Sequence, residues 1–167
     1  SDLDTLTMRP MRPSDAEDIY RAVQDPEIPK FTTLPADYPI DMAIEFANTT
    51  AAASFVNKTE LVFVIEDSRL ENSSASTSTS TSDSKSANLA SGYPYSNGFA
   101  GVMSLHTIDI PNHRSEIGYW MAKEARGKGI GTRAGSMINE YGLMTMGFNR
   151  IDGIVDVRNE ASKQLLL

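Results

Sequence analysis

The 167-residue sequence contains no cysteine, only two histidines and a single tryptophan. The lack of cysteine excludes disulfides and thiolate metal sites, and two histidines without metal-binding spacing argue against zinc. No apolar run approaches the roughly 18 residues that span a bilayer, and no signal-peptide pattern opens the chain. The net charge of −7 argues against non-specific nucleic-acid binding. We therefore expect a cytoplasmic protein with no metal, membrane or nucleic-acid partner.

The spacing of apolar residues predicts one mixed α/β domain over residues 1–167. Ser14 and Glu17 have the spacing of a capping box, which predicts a short helix that ends before Pro26. Three prolines predict an irregular loop over 27–39. Predicted strands cover 3–12, 61–65, 99–110, 113–121 and 150–157, with 99–121 as a hairpin, and predicted helices cover 41–55, 129–148 and 159–167, with Gly147 as a C-cap.

Residues 72–86 differ in composition from the rest of the chain. Eleven of these fifteen residues are serine or threonine. Such a segment cannot bury enough apolar surface to offset the entropy lost on ordering. We expect a disordered, solvated insertion between two paired strands, and a phosphorylation platform is the alternative.

The most informative stretch is Arg126-Gly127-Lys128-Gly129-Ile130-Gly131-Thr132, called the 126–132 loop below. An apolar, strand-like run precedes it and a helical pattern follows. Glycine allows backbone N–H groups to turn toward a bound group that a Cβ would block. The first N–H groups of a helix lack intrahelical partners and carry partial positive charge. This order of elements predicts a binding site for an anion such as a pyrophosphate.

The motif Arg126-x-x-Gly129-x-Gly131 resembles the pyrophosphate-binding motif of the GNAT superfamily of N-acetyltransferases. Further segments narrow the likeness to the RimJ/RimL-type branch, which acetylates ribosomal-protein N-termini. The likeness covers almost the whole chain except residues 72–86. The additional segments are Met8-Arg9-Pro10, Asp15-Ala16-Glu17-Asp18, Glu116-Ile117-Gly118-Tyr119-Trp120 and Asn159-Glu160-Ala161-Ser162.

The resemblance implies a mostly antiparallel, twisted sheet with helices on both faces and a parallel, splayed fourth and fifth strand. It implies an N-acetyltransferase that moves acetyl from acetyl-CoA to an amine by direct attack, with a protein N-terminus as a candidate acceptor. Ser162 is the catalytic residue that the resemblance implies, as a hydrogen-bond donor to the leaving thiolate. The implied acetyl-CoA contacts are Tyr119, Trp120, Met121, Arg126, Gly127, Lys128, Gly129, Ile130, Gly131, Thr132, Asn159 and Ser162.

Two departures from the family pattern concern the insertion at 72–86 and the end of the sequence. Family members continue beyond the Asn159 helix with two further strands, which this sequence lacks. We expect residues 31–38 and the end of the chain to shape the acceptor pocket. An open edge on the fifth strand would favour pairing with a second copy, so a homodimer is also expected.

The base requirement depends on the acceptor amine. An α-amino group with a pKa near 7.7 is neutral in roughly one molecule in six at pH 7, whereas a lysine amine is neutral in fewer than about one in a thousand. An N-terminal amine would need only a water held by a carboxylate. Glu116 is the first candidate for that carboxylate, with Glu160 and His113 behind it, and His106 is interpreted as structural.

Two other functions are consistent with parts of the sequence. Gly129-x-Gly131-x-x-Ala134 with Asp152 about twenty residues later has the spacing of a dinucleotide-binding fold. Too little chain follows it to build further βα units, and the preceding strands have an antiparallel pattern. A non-catalytic module that binds acyl-CoA is the second alternative.

Overall fold

The structure, a computed structural model, describes residues 5–72 and 93–166. Five strands form its sheet: β1 (Leu6–Pro10), β2 (Leu61–Asp67), β3 (Phe99–Asp109), β4 (Arg114–Met121) and β5 (Arg150–Gly153). The helices are α1 (Ala16–Val23), α2 (Glu27–Phe31), α3 (Ile40–Glu45), α4 (Ala51–Asn57), α5 (Ser68–Asn72), α6 (Ile130–Glu140) and α7 (Glu160–Leu166). Wider π-helical turns at Phe46–Thr50 and Tyr141–Thr145 continue α3 into α4 and extend α6.

The strands lie in the order β1-β2-β3-β4-β5. Neighbours from β1 to β4 pair antiparallel, whereas β4 and β5 pair parallel. The crossover from β4 to β5 is made by α6, as parallel pairing requires. This topology confirms the predicted mixed sheet and differs from the all-parallel sheet of a dinucleotide-binding fold.

Helices cover both faces of the sheet because the central strands are apolar on both sides. Residues 61, 62, 64 and 65 of β2 are all at most 4% exposed. Ile19 and Val23 of α1 lie on the face of Val62. On the opposite face, the π turn after α6 lies so close that a Cβ on Gly142 would be 3.1 Å from Leu105 Cδ1. The two helical layers bury one core on each side.

Two local predictions were wrong. Residues 27–39 include the helix Glu27–Phe31, whose Ile28 is anchored in the core at 3% exposure. The predicted capping box does not form, because Asp15 accepts the Arg12 amide at 2.7 Å and Glu17 forms an ion pair with Arg21. In both places tertiary packing and charge pairing outweigh the local pattern.

Other local predictions were confirmed. Residues 99–121 form the hairpin of β3 and β4, and the helix from residue 130 ends at Gly147, which has a φ of 73°. The Phe148 amide bonds back to the Gly142 carbonyl at 3.0 Å, which completes the helix end. The serine- and threonine-rich insertion falls almost wholly within residues 73–92, outside the described part of the chain. Among the described residues, no helix is both long and apolar enough to cross a lipid bilayer.

Candidate active site

A splay between β4 and β5 forms the centre of the candidate site. Their pairing ends at Ile117 and Gly153, but β4 continues to Met121. The splay opens into a cleft of about 1040 Å³, which runs from the 126–132 loop past β4 to α2. A cleft of this volume is large enough for a cofactor-sized ligand.

The main chain of β4 offers hydrogen-bonding groups to the splay. The Ala122 amide bonds to the Ala100 carbonyl of β3 at 2.9 Å. Because antiparallel strands alternate between bonded and non-bonded pairs, the N–H and C=O of Tyr119 and Met121 point away from β3. These groups therefore face the opening that β5 leaves, where the Met121 carbonyl already accepts from Arg126. The Trp120 side chain lies on the sheet face opposite to the side chains of Tyr119 and Met121. It packs against Phe99, with ring centroids 6.0 Å apart, and lines the cleft.

The 126–132 loop is open where the sequence predicts an anion site. Gly127 and Gly129 have φ values of 71° and 70°, and a Cβ on either would meet no atom within 4 Å. Within the described chain, no hydrogen-bond acceptor is assigned to the six amides from Gly127 to Thr132. Gly129 caps α6 without a side-chain bond, so the helix dipole adds positive potential at these amides. The pyrophosphate of acetyl-CoA fits this arrangement of open amides.

The two cations of the loop have different surroundings. Arg126 donates from Nε and Nη2 to the Met121 carbonyl at 3.0 and 2.9 Å, and its Nη1 lies 2.7 Å from Asp25 Oδ2. Its guanidinium therefore ties the loop to the end of β4 and to the turn after α1. Lys128 is exposed, and no acidic partner for it occurs in residues 5–72 or 93–166.

The last helix borders the opposite side of the splay. Asn159 Oδ1 accepts the Ser162 amide at 3.1 Å, so Asn159 caps α7 as expected from its side chain. The Tyr119 hydroxyl donates to the Ser162 carbonyl at 3.4 Å, and burial raises the pKa of that hydroxyl. Ser162 lines the cleft. Gly131 leaves room for α7, because a Cβ there would lie 3.0 Å from Leu165 Cδ1.

Acidic and apolar residues line the far end of the cleft. The acids are Glu60 and Glu116, and neither has an ion-pair partner among the described residues. Glu27 also lines the cleft, but it lies nearer the 126–132 loop, because its amide donates to Asp25, the ion-pair partner of Arg126. The remaining wall comes from α2 and the segment after it. Phe31, Thr32, Thr33, Leu34 and Tyr38 lie there, within the range predicted to shape the acceptor pocket.

The structure separates the candidate bases. Glu116 lines the cleft, opposite His106 on β3 and Asp152 on β5 in the strand register. Glu160 is exposed and pairs with Lys163 at 2.7 Å, and His113 lies in the turn between β3 and β4; neither lines the cleft. His106 does line it, although we interpreted it from the sequence as structural. Its position opposite Glu116 in the predicted hairpin is the signal that could have found it.

The fold and the open amide loop beside a splayed sheet define a domain built to bind an acyl-CoA. The sequence model of the acetyltransferase (GNAT) domain matches residues 5–167, and the chain belongs to this family. Among the described residues, no group of three metal-ligating side chains is placed to hold a metal ion.

Relatives and solved structures carry related names. YdaF of Bacillus subtilis, provisionally named a ribosomal N-acetyltransferase, is 39% identical over 75 residues, which is 45% of this chain and 41% of YdaF. YoaA, an uncharacterized N-acetyltransferase of the same organism, is 26% identical over 98% of this chain and 77% of its own.

Two solved structures show the same fold. One is spermidine N-acetyltransferase from Vibrio cholerae with CoA and spermine, with a TM-score of 0.71 and 17% identity over 98% of this chain and 78% of that one. The other is RimL, a ribosomal L7/L12 α-N-protein acetyltransferase with CoA, also with a TM-score of 0.71, at 16% identity over 96% of this chain and 76% of that one.

Proposed function

We propose that this domain transfers the acetyl group of acetyl-CoA to a primary amine. The observation that carries the proposal is the run of six open amides at the start of α6, directly beside the β4–β5 splay. Bound there, acetyl-CoA supplies an activated thioester. The protein supplies the groups that hold and align the two reactants.

The proposed cofactor contacts fall into three groups. The amides of the 126–132 loop hold the pyrophosphate, and Lys128 adds a positive charge. The main chain of Tyr119 and the amide of Met121 pair with the pantetheine arm, while Trp120 lines the adjoining wall. Asn159 and Ser162 border the arm from α7, and in this proposal the Ser162 hydroxyl donates a hydrogen bond to the leaving thiolate; its position in the lining of the cleft supports that role.

The acidic end of the cleft supports an acceptor that arrives as a cation. Glu60 and Glu116 would attract a protonated amine, which must lose a proton before it attacks. A protein N-terminal amine is the acceptor we favour, because its pKa near 7.7 leaves roughly one molecule in six neutral at pH 7. A small polyamine is the alternative, since the spermidine N-acetyltransferase shares the fold. The homodimer expected from an open β5 edge stays a prediction.

Calorimetry with acetyl-CoA tests the cofactor site. Gly129→Ala should weaken binding at least about tenfold, because its methyl group would occupy the space in front of the open amides. Gly147→Ala is the matched control: Gly147 has a similar φ of 73°, a Cβ there also meets nothing within 4 Å, and it lies outside the cleft. Both changes introduce similar backbone strain of about 1–2 kcal/mol.

Turnover is measured by release of the CoA thiol with an alanine tetrapeptide and with spermidine as acceptors. Equal acetyl-CoA affinity of the two glycine variants would contradict the proposed site. Tight acetyl-CoA binding without thiol release on either amine would favour the non-catalytic module.

A further inference from the structure

His106 occupies a distinct place in the cleft. It lies on β3 directly opposite Glu116 of β4, on the sheet face that also carries Ser104, Gly118 and Trp120. From His106 and Glu116, the pair of Ser104 and Gly118 and then Trp120 follow along the two strands toward the splay. His106 therefore lies at the acidic end proposed for the amine, on the sheet face that leads to the splay proposed for the thioester.

Gly118 makes room for the His106 ring. A Cβ on Gly118 would lie 2.8 Å from His106 Nε2 and 2.9 Å from Cδ2. The φ of Gly118 is not positive, so its backbone does not require glycine. Glycine at this position is thus explained by the imidazole that rests on it, with Nε2 toward the middle of the strand.

The other ring nitrogen is held by a strained neighbour. His106 Nδ1 lies 2.9 Å from Thr107 Oγ1. Thr107 has a φ of 51° at an irregularity in the β3–β4 pairing, and a β-branched residue in this conformation costs about 1–3 kcal/mol. The exposed hydroxyl can turn its own hydrogen to water, so its oxygen is free to accept from Nδ1.

We propose that His106 is a further catalytic residue, whose Nε2 accepts the proton of the incoming ammonium, and that Thr107 is a positioning residue that keeps the hydrogen on Nδ1. The inference rests on the proposed acetyl transfer. In this scheme His106, and not a carboxylate-held water, is the first proton acceptor. Glu116 attracts the cationic amine and stabilises the imidazolium of His106.

Every proton in this step passes from a named donor to a named acceptor. The ammonium gives one proton to Nε2, and the neutral amine forms the N–C bond to the thioester carbonyl as the C–S bond breaks. The second amine proton reaches the thiolate by way of the Ser162 hydroxyl, and the imidazolium releases its proton to water. The products are the N-acetyl amide, the free CoA thiol and one proton.

His106→Gln tests the catalytic role, with His113→Gln as the control because His113 lies outside the cleft. With the alanine tetrapeptide and spermidine, His106→Gln should lower kcat about 10²- to 10⁴-fold and leave the acetyl-CoA affinity unchanged. The pH profile of kcat/KM should lose the rise on its acidic side that protonation of a general base produces. The other titratable or charged groups that line the cleft or the adjoining pocket are Glu27, Tyr38, Glu60, Asp109, Arg114, Glu116, Tyr119, Arg126, Asp152 and Asp156. A His106→Gln variant with wild-type turnover would overturn the inference about His106 and leave the proposed function intact. A wild-type protein that does not bind acetyl-CoA would overturn the proposed function itself.

A second measurement needs no acceptor. Nitrogen-15 NMR of the imidazole rings at pH 8 should show His106 with its hydrogen on Nδ1 in the wild type and in Thr107→Ser. Thr107→Gly removes both the hydroxyl and the strain, and should shift the ring toward the other tautomer and slow turnover. A His106 that carries its hydrogen on Nε2 in the wild type would overturn the assignment.

Discussion

Arg126 and Lys128 are two positions apart on one loop, yet their side chains have different roles. Three guanidinium nitrogens of Arg126 are directed at the Met121 carbonyl and Asp25, whereas Lys128 projects into solvent. The charge of Arg126 therefore stabilises the shape of the loop. The charge of Lys128 remains available to an anion.

The two side chains can be separated by matched substitutions. Arg126→Gln should lower the free energy of unfolding by about 1–2 kcal/mol, because charged hydrogen bonds to a carbonyl are lost. Lys128→Gln should leave stability unchanged and weaken acetyl-CoA by less than about fivefold, as expected for one exposed charge. Urea unfolding and calorimetry of both variants check this. Unchanged stability of Arg126→Gln would show that its bonds to Met121 and Asp25 are not structural.

Among the strands, β3 approaches β4 unusually closely where both border the site. Gly101 has a φ of 152°, and a Cβ on it would lie 2.3 Å from the Trp120 carbonyl oxygen and 2.9 Å from Met121 Cα. The register of β2 and β3 shifts at the same level. This close approach fixes the height of Trp120 and Met121 at the edge of the splay.

Gly101→Ala should therefore destabilise the domain by about 3 kcal/mol or more, since a rigid backbone cannot yield to the new methyl group. Gly147→Ala, with open surroundings, should cost only about 1–2 kcal/mol. Thermal unfolding of the two variants gives the comparison. A Gly101→Ala variant no less stable than Gly147→Ala would show that the strands can separate here without loss.

For the molecule as a whole, two buried carboxylates impose opposite pH dependences on stability. Burial of Asp18 raises the pKa of its carboxyl to about 6, although it accepts the Ser96 amide at 3.1 Å. Burial also disfavours ionisation of Asp67, but hydrogen bonds and charges from Arg69 and Arg133 outweigh it and lower the pKa of that carboxyl below 3.8.

The signs follow from proton uptake. In the folded protein Asp18 keeps its proton up to about pH 6, whereas in the unfolded chain it releases the proton near pH 3.8. The contribution of Asp18 to the free energy of unfolding is therefore complete below pH 3.8 and is lost as the pH rises through 6. The contribution of Asp67 is complete above 3.8 and is lost as pH falls through its lower folded pKa.

Asp18→Asn should accordingly flatten the decline in unfolding free energy that Asp18 causes between about pH 4 and 6. Urea titrations at pH 4, 5, 6 and 7 measure the slope. Asp37→Asn, at an exposed position, is the control and should keep the wild-type slope. Parallel curves for Asp18→Asn and the wild type would mean that Asp18 ionises normally in the folded state.

The sequence predicted most of the fold because its strands and its long helix follow strong local periodicity. The hairpin of β3 and β4, the helix after the 126–132 loop and its end at Gly147 all depend on residues close together in the chain. The helix at Glu27–Phe31 was missed because its stability comes from burying Ile28 against distant residues. Local propensity carries no information on such contacts.

The amino-acid sequence by itself determined that a glycine-rich bend would leave amides open at the start of a helix, because that geometry is set within seven consecutive residues. Only the tertiary structure decided that Arg126 is directed at Met121 and Asp25, that Glu160 and His113 stay outside the cleft, and that His106 enters it. The entry of His106 depends on strand register, since a slip of one residue would turn His106 and Glu116 to the opposite face of the sheet.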